Sequence, residues 1–283
     1  MEKINSYVIK NNMQQDKFPI TIHRAGNKIS WLASLKEVAI NLKASGHNIS
    51  LYAEADIKWL TEKDKCTLYI HHGHGLTGTK SVENFGELQE LLKKGDAILL
   101  SDMLHQFQEA PFGFDLELKC GVGDSVLALR ALGKMCVETK NTFRILSSSY
   151  DLCVKARSEC KDVQVGFLSF CAPLNMLRIR HGKILHFPKQ NFLENYSFGL
   201  YPEISSMTAV DFIVGTKGIA TSFKTINEKV SLSGKSFCPT IIGSRNSLAA
   251  AINADTYGAF VYMISPMKNL TDLLREVFDE SRG

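Results

Sequence analysis

Apolar runs of strand character alternate with segments of helical periodicity along almost the whole chain, and this alternation limits the possible folds more than any other feature. Phe18–His23 is a short apolar run with β-branched residues. Trp31, Leu32, Leu35, Val38, Ala39 and Leu42 then recur at helical spacing within Ser30–Ala44, with Gly46 as the stop. Asn48–Asp56 reads as a strand, Thr61–Lys65 as a charged hairpin and Cys66–His71 as the returning strand. Val82, Phe85, Leu88, Leu91 and Leu92 mark a helix ended by Gly95, and Ser101–Phe107 adds a helical turn or two. Strands follow at Gly113–Lys119, Asn141–Ser149 and Val163–Phe170, with helical patterns at Asp124–Leu132 and Tyr150–Cys160 between them. Residues 172–235 show only short apolar runs, Lys183–Phe187 and Ala209–Gly215, among polar stretches. The chain closes with strands at Pro239–Gly243 and Gly258–Ile264 and helices at Ser247–Ala254 and Leu270–Phe278.

Strand-then-helix repetition predicts a parallel sheet covered by helices. About eight such units in 283 residues predict a (β/α)8 barrel, a single-domain TIM barrel over residues 18–283 preceded by an arm at 1–17. No glycine-rich phosphate loop of the dinucleotide or Walker type stands where an open nucleotide-binding sheet requires one. A formal charge of +4, with Lys and Arg scattered apart from Arg178-Ile-Arg180-His181, gives no reason to expect a nucleic-acid partner. Seven cysteines without a C-x-x-C pair suit free thiols in a reducing compartment. With no apolar leader core and no run of membrane-spanning length, a soluble, cytoplasmic protein is expected.

In such barrels the chemistry sits at the C-terminal strand ends, and charged residues fall there. Glu54 and Asp56 share one face of their strand, because side chains alternate. Two carboxylates on one face repel unless a cation lies between them, and Mg²⁺ or Ca²⁺ prefers oxygen ligands. His23-Arg24 ends the first strand, Glu117-Leu118-Lys119 a later one, and His71-His72 the returning arm of the hairpin. Imidazoles beside a cation can move protons near neutral pH. Ser149, just before Tyr150, reads as a helix cap.

The ordered set resembles the glycerophosphodiester phosphodiesterase family. That family carries a strand ending in His-Arg, a Glu-x-Asp, a hairpin returning to a second His, a Glu-x-Lys, a Ser-aromatic-Asp turn and a late glycine-containing strand. Here the positions hold His23-Arg24, Glu54-Ala55-Asp56, His72, Glu117-Leu118-Lys119, Ser149-Tyr150-Asp151 and Tyr257-Gly258-Ala259-Phe260, spanning about residues 18–280. The resemblance implies a phosphodiester hydrolase with one divalent cation, Mg²⁺ or Ca²⁺, held by Glu54, Asp56 and Glu117. It implies Arg24 and Lys119 as phosphate contacts, and His23 and His72 as the acid–base pair. Attack by water, or by the neighbouring glycerol hydroxyl with water then opening the cyclic diester, would release a phosphomonoester, typically glycerol 3-phosphate, and an alcohol.

The chain departs from the family elsewhere. Ser30-Trp31-Leu32-Ala33 stands for its Pro-Glu-Asn-Thr, Gly73 for the Asp after its second His, Thr240-Ile241-Ile242-Gly243 for Trp-Thr-Val-Asn, and Ile264-Ser265-Pro266 for Thr-Asp-x-Pro. The expectation is retained phosphodiester chemistry with an altered, small-molecule substrate. Two other readings stand beside it. One is a zinc amidohydrolase-type barrel built on His72 and His74, for which His105, His181 and His186 are further candidate ligands. The other is a catalytically silent barrel that binds a phosphorylated ligand.

Overall fold

The computed structural model describes residues 17–72, 82–119, 121–169, 207–215, 222–242, 245–262 and 270–280. Eight parallel strands close into a barrel: β1 (Phe18–Ile22), β2 (Ile49–Glu62), β5 (Gly113–Leu118), β6 (Phe143–Ser147), β7 (Gln164–Ser169), β8 (Phe212–Gly215), β9 (Ser236–Ile242) and β10 (Ala259–Tyr262). Closure comes from β1, which pairs with β2 on one side and β10 on the other. Two further strands lie outside the ring: β3 (Lys65–Ile70) runs antiparallel to β2, and β4 (Ile98–Leu99) antiparallel to β3.

Helices cover the outside: α1 (Ile29–Ala44), α2 (Phe85–Lys94), α3 (Leu100–Gln106), α4 (Ser125–Glu138), α5 (Tyr150–Glu159), α6 (Phe223–Leu232), α7 (Arg245–Asn253) and α8 (Leu270–Glu280). Their starts follow local chemistry. The side chains of Asn84, Asp124, Ser149 and Ser222 accept hydrogen bonds from first-turn amides, each cap contributing roughly 1 kcal/mol. Ser149 thus caps α5, as expected, and Gly95 ends α2 in a left-handed conformation at φ 73°. The expected arm at 1–17 lies outside the described residues except for its last position, as do His74, His181, His186 and the run Lys183–Phe187.

Several elements are longer than their patterns predict. β2 does not stop at Asp56 but continues to Glu62, turning through Lys63 at φ 55°. Its extension is held because Ile57 and Trp59 join the helix-side core while Leu60 packs with Tyr69, Val82, Leu88 and Ala97 beneath the hairpin. α4 continues past Leu132 to Glu138, with Cys136 buried in its last turn. The two-residue β4 and helix α6 have no counterpart in the sequence reading.

The barrel interior is divided. On β6–β10, Leu146, Leu168, Phe212, Val214, Cys238 and Phe260 form one apolar cluster. On β1, β2 and β5 the inward positions are polar: Thr21, Glu54, Asp56, Asp115 and Glu117 are all buried, while Ala53, Ala55, Leu116 and Leu118 face the helices. Buried charge is retained only where it is paired or binds an ion, so the polar half marks where a site is to be sought.

Candidate active site

Strand register assembles the acidic group. Asp56 is paired with Glu117, and Ile22 with Ala53, which brings His23 level with Glu54 at the mouth. Glu54, Asp56 and Glu117 each offer one oxygen, and the three oxygens lie within 4.8 Å of one another. All three residues are buried. Lys119 bridges two of them: its Nζ lies 3.0 Å from Asp56 Oδ1 and also donates to Glu117 Oε1.

A turn after β1 holds the group from the other side. Residues Ala25–Asn27 form a single 3-10 turn that packs flat against β2. Gly26 permits this approach, since a Cβ there would lie 2.6 Å from Ala55 Cβ and 2.9 Å from the Glu54 carbonyl oxygen. Arg24 takes a left-handed conformation at φ 58° and aims its backbone N–H at Glu54 Oε2, 2.5 Å away. The Asn27 side chain grips Asp56 twice. Its amide donates to Asp56 Oδ2, and its carbonyl oxygen accepts from Asp56 N–H at 2.9 Å.

The hairpin returns two imidazoles to the same mouth. His71 N–H donates to the Asp56 carbonyl oxygen at 3.2 Å, and the His71 ring Nδ1 lies 2.8 Å from the Asp96 carbonyl oxygen, which turns that ring away. His72 feels the charges around His23 and Asp56. The His23 ring packs against Phe260, with ring centroids 5.9 Å apart.

Burial and crowding set the proton affinities. Burial, then the charges of Asp56 and Glu117, pushes Glu54 well above the usual carboxylate range. Burial also raises Glu117, against the pull of Lys119. Burial alone would raise Asp56 too, but Lys119 and the Asn27 amide outweigh it and hold the carboxyl below its ordinary value. Lys119 would be lowered by burial, yet the carboxylates of Glu117, Asp56 and Glu54 raise it and keep it charged. His23 is driven down to about 3, first by burial and then by Arg24, so its imidazole is neutral at pH 7.

This donor set fits a hard divalent cation. It is all oxygen, its spacing suits ligands at about 2.3–2.6 Å from one ion, and Glu54 Oε1 is buried with no hydrogen-bond donor. Among the described residues the acidic triad is able to bind a metal. The zinc alternative gains no support, because His105 lies on α3 away from any strand end and its other named candidates apart from His72 fall outside the described residues.

Every site residue named from sequence (His23, Arg24, Glu54, Asp56, His72, Glu117 and Lys119) lies at this mouth. Sequence reasoning gave no role to Gly26 and Asn27. The one available signal was their position directly after His23-Arg24, in a stretch too short for a helix. It also passed over Asp115 and Arg144, charged residues in the middle of otherwise apolar strands.

No protein-family model and no curated protein matches the sequence. Solved structures do resemble the fold. A phosphodiesterase from Oleispira antarctica, solved with the product sn-glycerol-3-phosphate, is 13% identical, with 92% of this chain and 96% of that one covered and a TM-score of 0.59. A glycerophosphodiester phosphodiesterase from Parabacteroides distasonis is 14% identical, covering 92% and 99%, with a TM-score of 0.53. Another, from Agrobacterium tumefaciens, is 12% identical over 92% and 99%, with a TM-score of 0.51. At these identities the likeness is one of fold, and the chain is a (β/α)8 barrel similar in fold to glycerophosphodiester phosphodiesterases.

Proposed function

We propose that this protein is a metal-dependent phosphodiester hydrolase acting on glycerophosphodiesters or a related small-molecule diester. The observation that carries the reading is the convergence of three buried carboxylates within 4.8 Å beside a neutral His23 and the cations Arg24 and Lys119. The fold likeness to phosphodiesterases, one of them holding sn-glycerol-3-phosphate, supports the same reading.

Glu54, Asp56 and Glu117 would hold one divalent cation, Mg²⁺ or Ca²⁺, which when bound supplies positive charge at the phosphate oxygens. Arg24 and Lys119 add fixed positive charge where the transition state gathers negative charge. His23 and His72 divide the proton work: one accepts the proton of the attacking hydroxyl, the other donates to the leaving alkoxide oxygen. When water attacks, the P–O bond to the alcohol breaks as the new P–O bond forms, leaving a phosphomonoester and a free alcohol. When the neighbouring glycerol hydroxyl attacks, the alcohol departs and a cyclic diester remains, which water then opens to the phosphomonoester. His23 is neutral at pH 7, the form in which an imidazole can accept a proton. The apolar interior on β6–β10 keeps bulk water from the charges and so strengthens them.

The deciding experiment is a panel of glycerophosphodiesters and lysophospholipids assayed with EDTA and with Mg²⁺ or Ca²⁺ restored. Hydrolysis of at least one diester, abolished by EDTA and by Glu54→Ala, is the expected result. A chain that binds a phosphorylated ligand but turns over no diester under any of these conditions refutes the proposal.

A further inference from the structure

Directly beneath the carboxylates lies a buried network that the proposed mechanism does not use. Arg144 on β6 is 1% exposed, and Thr21 on β1 and Asp115 on β5 are fully enclosed. Arg144 and Asp115 face each other in register, and the guanidinium meets the carboxylate with two parallel bonds, Nε to Oδ1 and Nη2 to Oδ2, both 2.7 Å. Nη2 also donates to Thr21 Oγ1 at 2.7 Å, and that hydroxyl donates to Asp115 Oδ2 at 2.6 Å. The guanidinium carbon lies 3.9 Å from the centre of the Tyr52 ring on β2.

Each attachment falls two residues before a site residue on the same strand: Thr21 before His23, Tyr52 before Glu54, and Asp115 before Glu117. Strand side chains two apart share a face and stand about 6.6–6.8 Å apart along the strand. One guanidinium therefore ties together the three strands that deliver the proposed base and the cation ligands. It does so one layer below them.

Stability alone does not account for the arrangement. A buried ion pair seldom outdoes well-packed apolar residues of the same volume, because its desolvation offsets the attraction. Beside Arg144 the inward positions of β6–β10 are dominated by an apolar cluster of Leu146, Leu168, Phe212, Val214, Cys238 and Phe260. The groups that Arg144 binds all lie on β1, β2 and β5, the strands that lead to His23 and the acidic group. We propose that Arg144 is a positioning residue: by clamping Thr21, Tyr52 and Asp115 it fixes the relative height and spacing of His23, Glu54 and Glu117. This inference rests on the proposed cation site.

The test compares wild type with Thr21→Val, which removes only the bridging hydroxyl, and with Arg144→Met/Asp115→Leu, which removes both charges together. The double variant is expected to fold with a thermal midpoint near wild type. Its affinity for Mg²⁺ or Ca²⁺, titrated calorimetrically, is expected to fall by about 10–100-fold, as when groups supporting metal ligands are lost. Turnover falls with it while KM holds, and Thr21→Val shows a smaller loss of the same kind. Wild-type cation affinity and turnover in both variants would overturn the inference. Should wild type bind no cation and cleave no diester, the proposed function fails instead. The clamp is then judged by NMR, where Thr21→Val must shift the His23 ring resonances, and unmoved resonances overturn it.

Discussion

Replacing Gly26 with alanine tests whether the turn after β1 positions the carboxylates or merely passes by them. An ideal Cβ at this residue would lie 2.6 Å from Ala55 Cβ, 2.9 Å from the Glu54 carbonyl oxygen and 3.1 Å from Ala55 Cα. Carbon contacts settle near 3.5–4.0 Å, so the turn must retreat by about 1 Å. Overpacking of this kind costs about 1–3 kcal/mol, a fall of about 2–5 °C in Tm for a chain of this size. The retreat also pulls Arg24 N–H from Glu54 and Asn27 from Asp56, and a displacement of about 1 Å in such positioning groups lowers turnover by about 10²-fold. Ala55→Gly removes only the first of the three clashes, since the other two are with backbone. The double variant should therefore regain part of the lost Tm and turnover, less up to about 1 kcal/mol for a glycine inside a strand. Differential scanning calorimetry and diester hydrolysis on the four proteins complete the cycle. A Gly26→Ala protein with reduced Tm but unchanged turnover would refute the idea that this turn sets the site.

Four further outcomes follow from the same geometry. Asn27→Ala strips Asp56 of a donor to its carboxylate and an acceptor for its N–H; a loss of about 1–3 kcal/mol is expected in urea titration, with reduced cation affinity. Lys119→Met leaves Asp56 and Glu117 without their bridging cation, and breaking such a buried pair should cost about 3–5 kcal/mol at pH 8 in EDTA; added Mg²⁺ should restore part of it, and an unchanged unfolding midpoint would count against charged carboxylates there. His23, held at about 3 against an ordinary 6.5, binds a proton in the unfolded chain before it does in the folded one, so it takes stability away as pH falls from 6.5 toward 3; His23→Gln should flatten that part of the stability curve, and an unaltered curve would show the imidazole to be ordinary. Glu54 and Glu117 are raised, so their contribution is fully present below the usual carboxylate range and is lost as pH rises through their folded values; a divalent cation must displace those protons at lower pH, and its stabilisation, read as a Tm rise, should be larger at pH 8 than at pH 6.

Residues whose chemistry is set by a single strand were legible in the sequence. Glu54 and Asp56 share a face because the period of a strand is two, and the charged hairpin that returns His72 follows from polar residues between two apolar runs. What sequence could not supply was register. Asp56 meets Glu117, and Asp115 meets Arg144, through pairings between strands far apart in the chain; nothing local selects them. The same limit hid Asn27, whose partner lies across the β1–β2 pair. Helix α6 is a different case. Phe223, Ile226 and Val230 are buried at helical spacing behind a Ser222 cap, so its pattern was present, but a polar stretch on either side made it too short to stand out by periodicity. The extension of β2 beyond Asp56 depends on tertiary packing, Trp59 lying so close to Gly121 that a Cβ there would sit 2.2 Å from the indole ring.

The balance of buried charge explains why the acidic group needs a partner beyond its own side chains. Among the described residues, the charged groups buried almost completely are the carboxylates Glu54, Asp56, Asp115 and Glu117 and the bases Lys58 and Arg144. Arg144 is committed to Asp115. Lys119, 16% exposed at its side chain, reaches Asp56 and Glu117, while Glu54 takes the Arg24 backbone N–H and otherwise meets the Glu117 carboxyl, with which it can share a hydrogen bond when one of the two is protonated. Leaving an isolated carboxylate charged in such a place costs several kcal/mol. Either a proton or an oxygen-seeking cation must settle that charge, and both compete for the same atoms. On the proposed reading the site would owe its affinity for a hard ion to the same burial that makes Glu54 a weak acid, and the apolar cluster on β6–β10, by excluding water, would strengthen both tendencies.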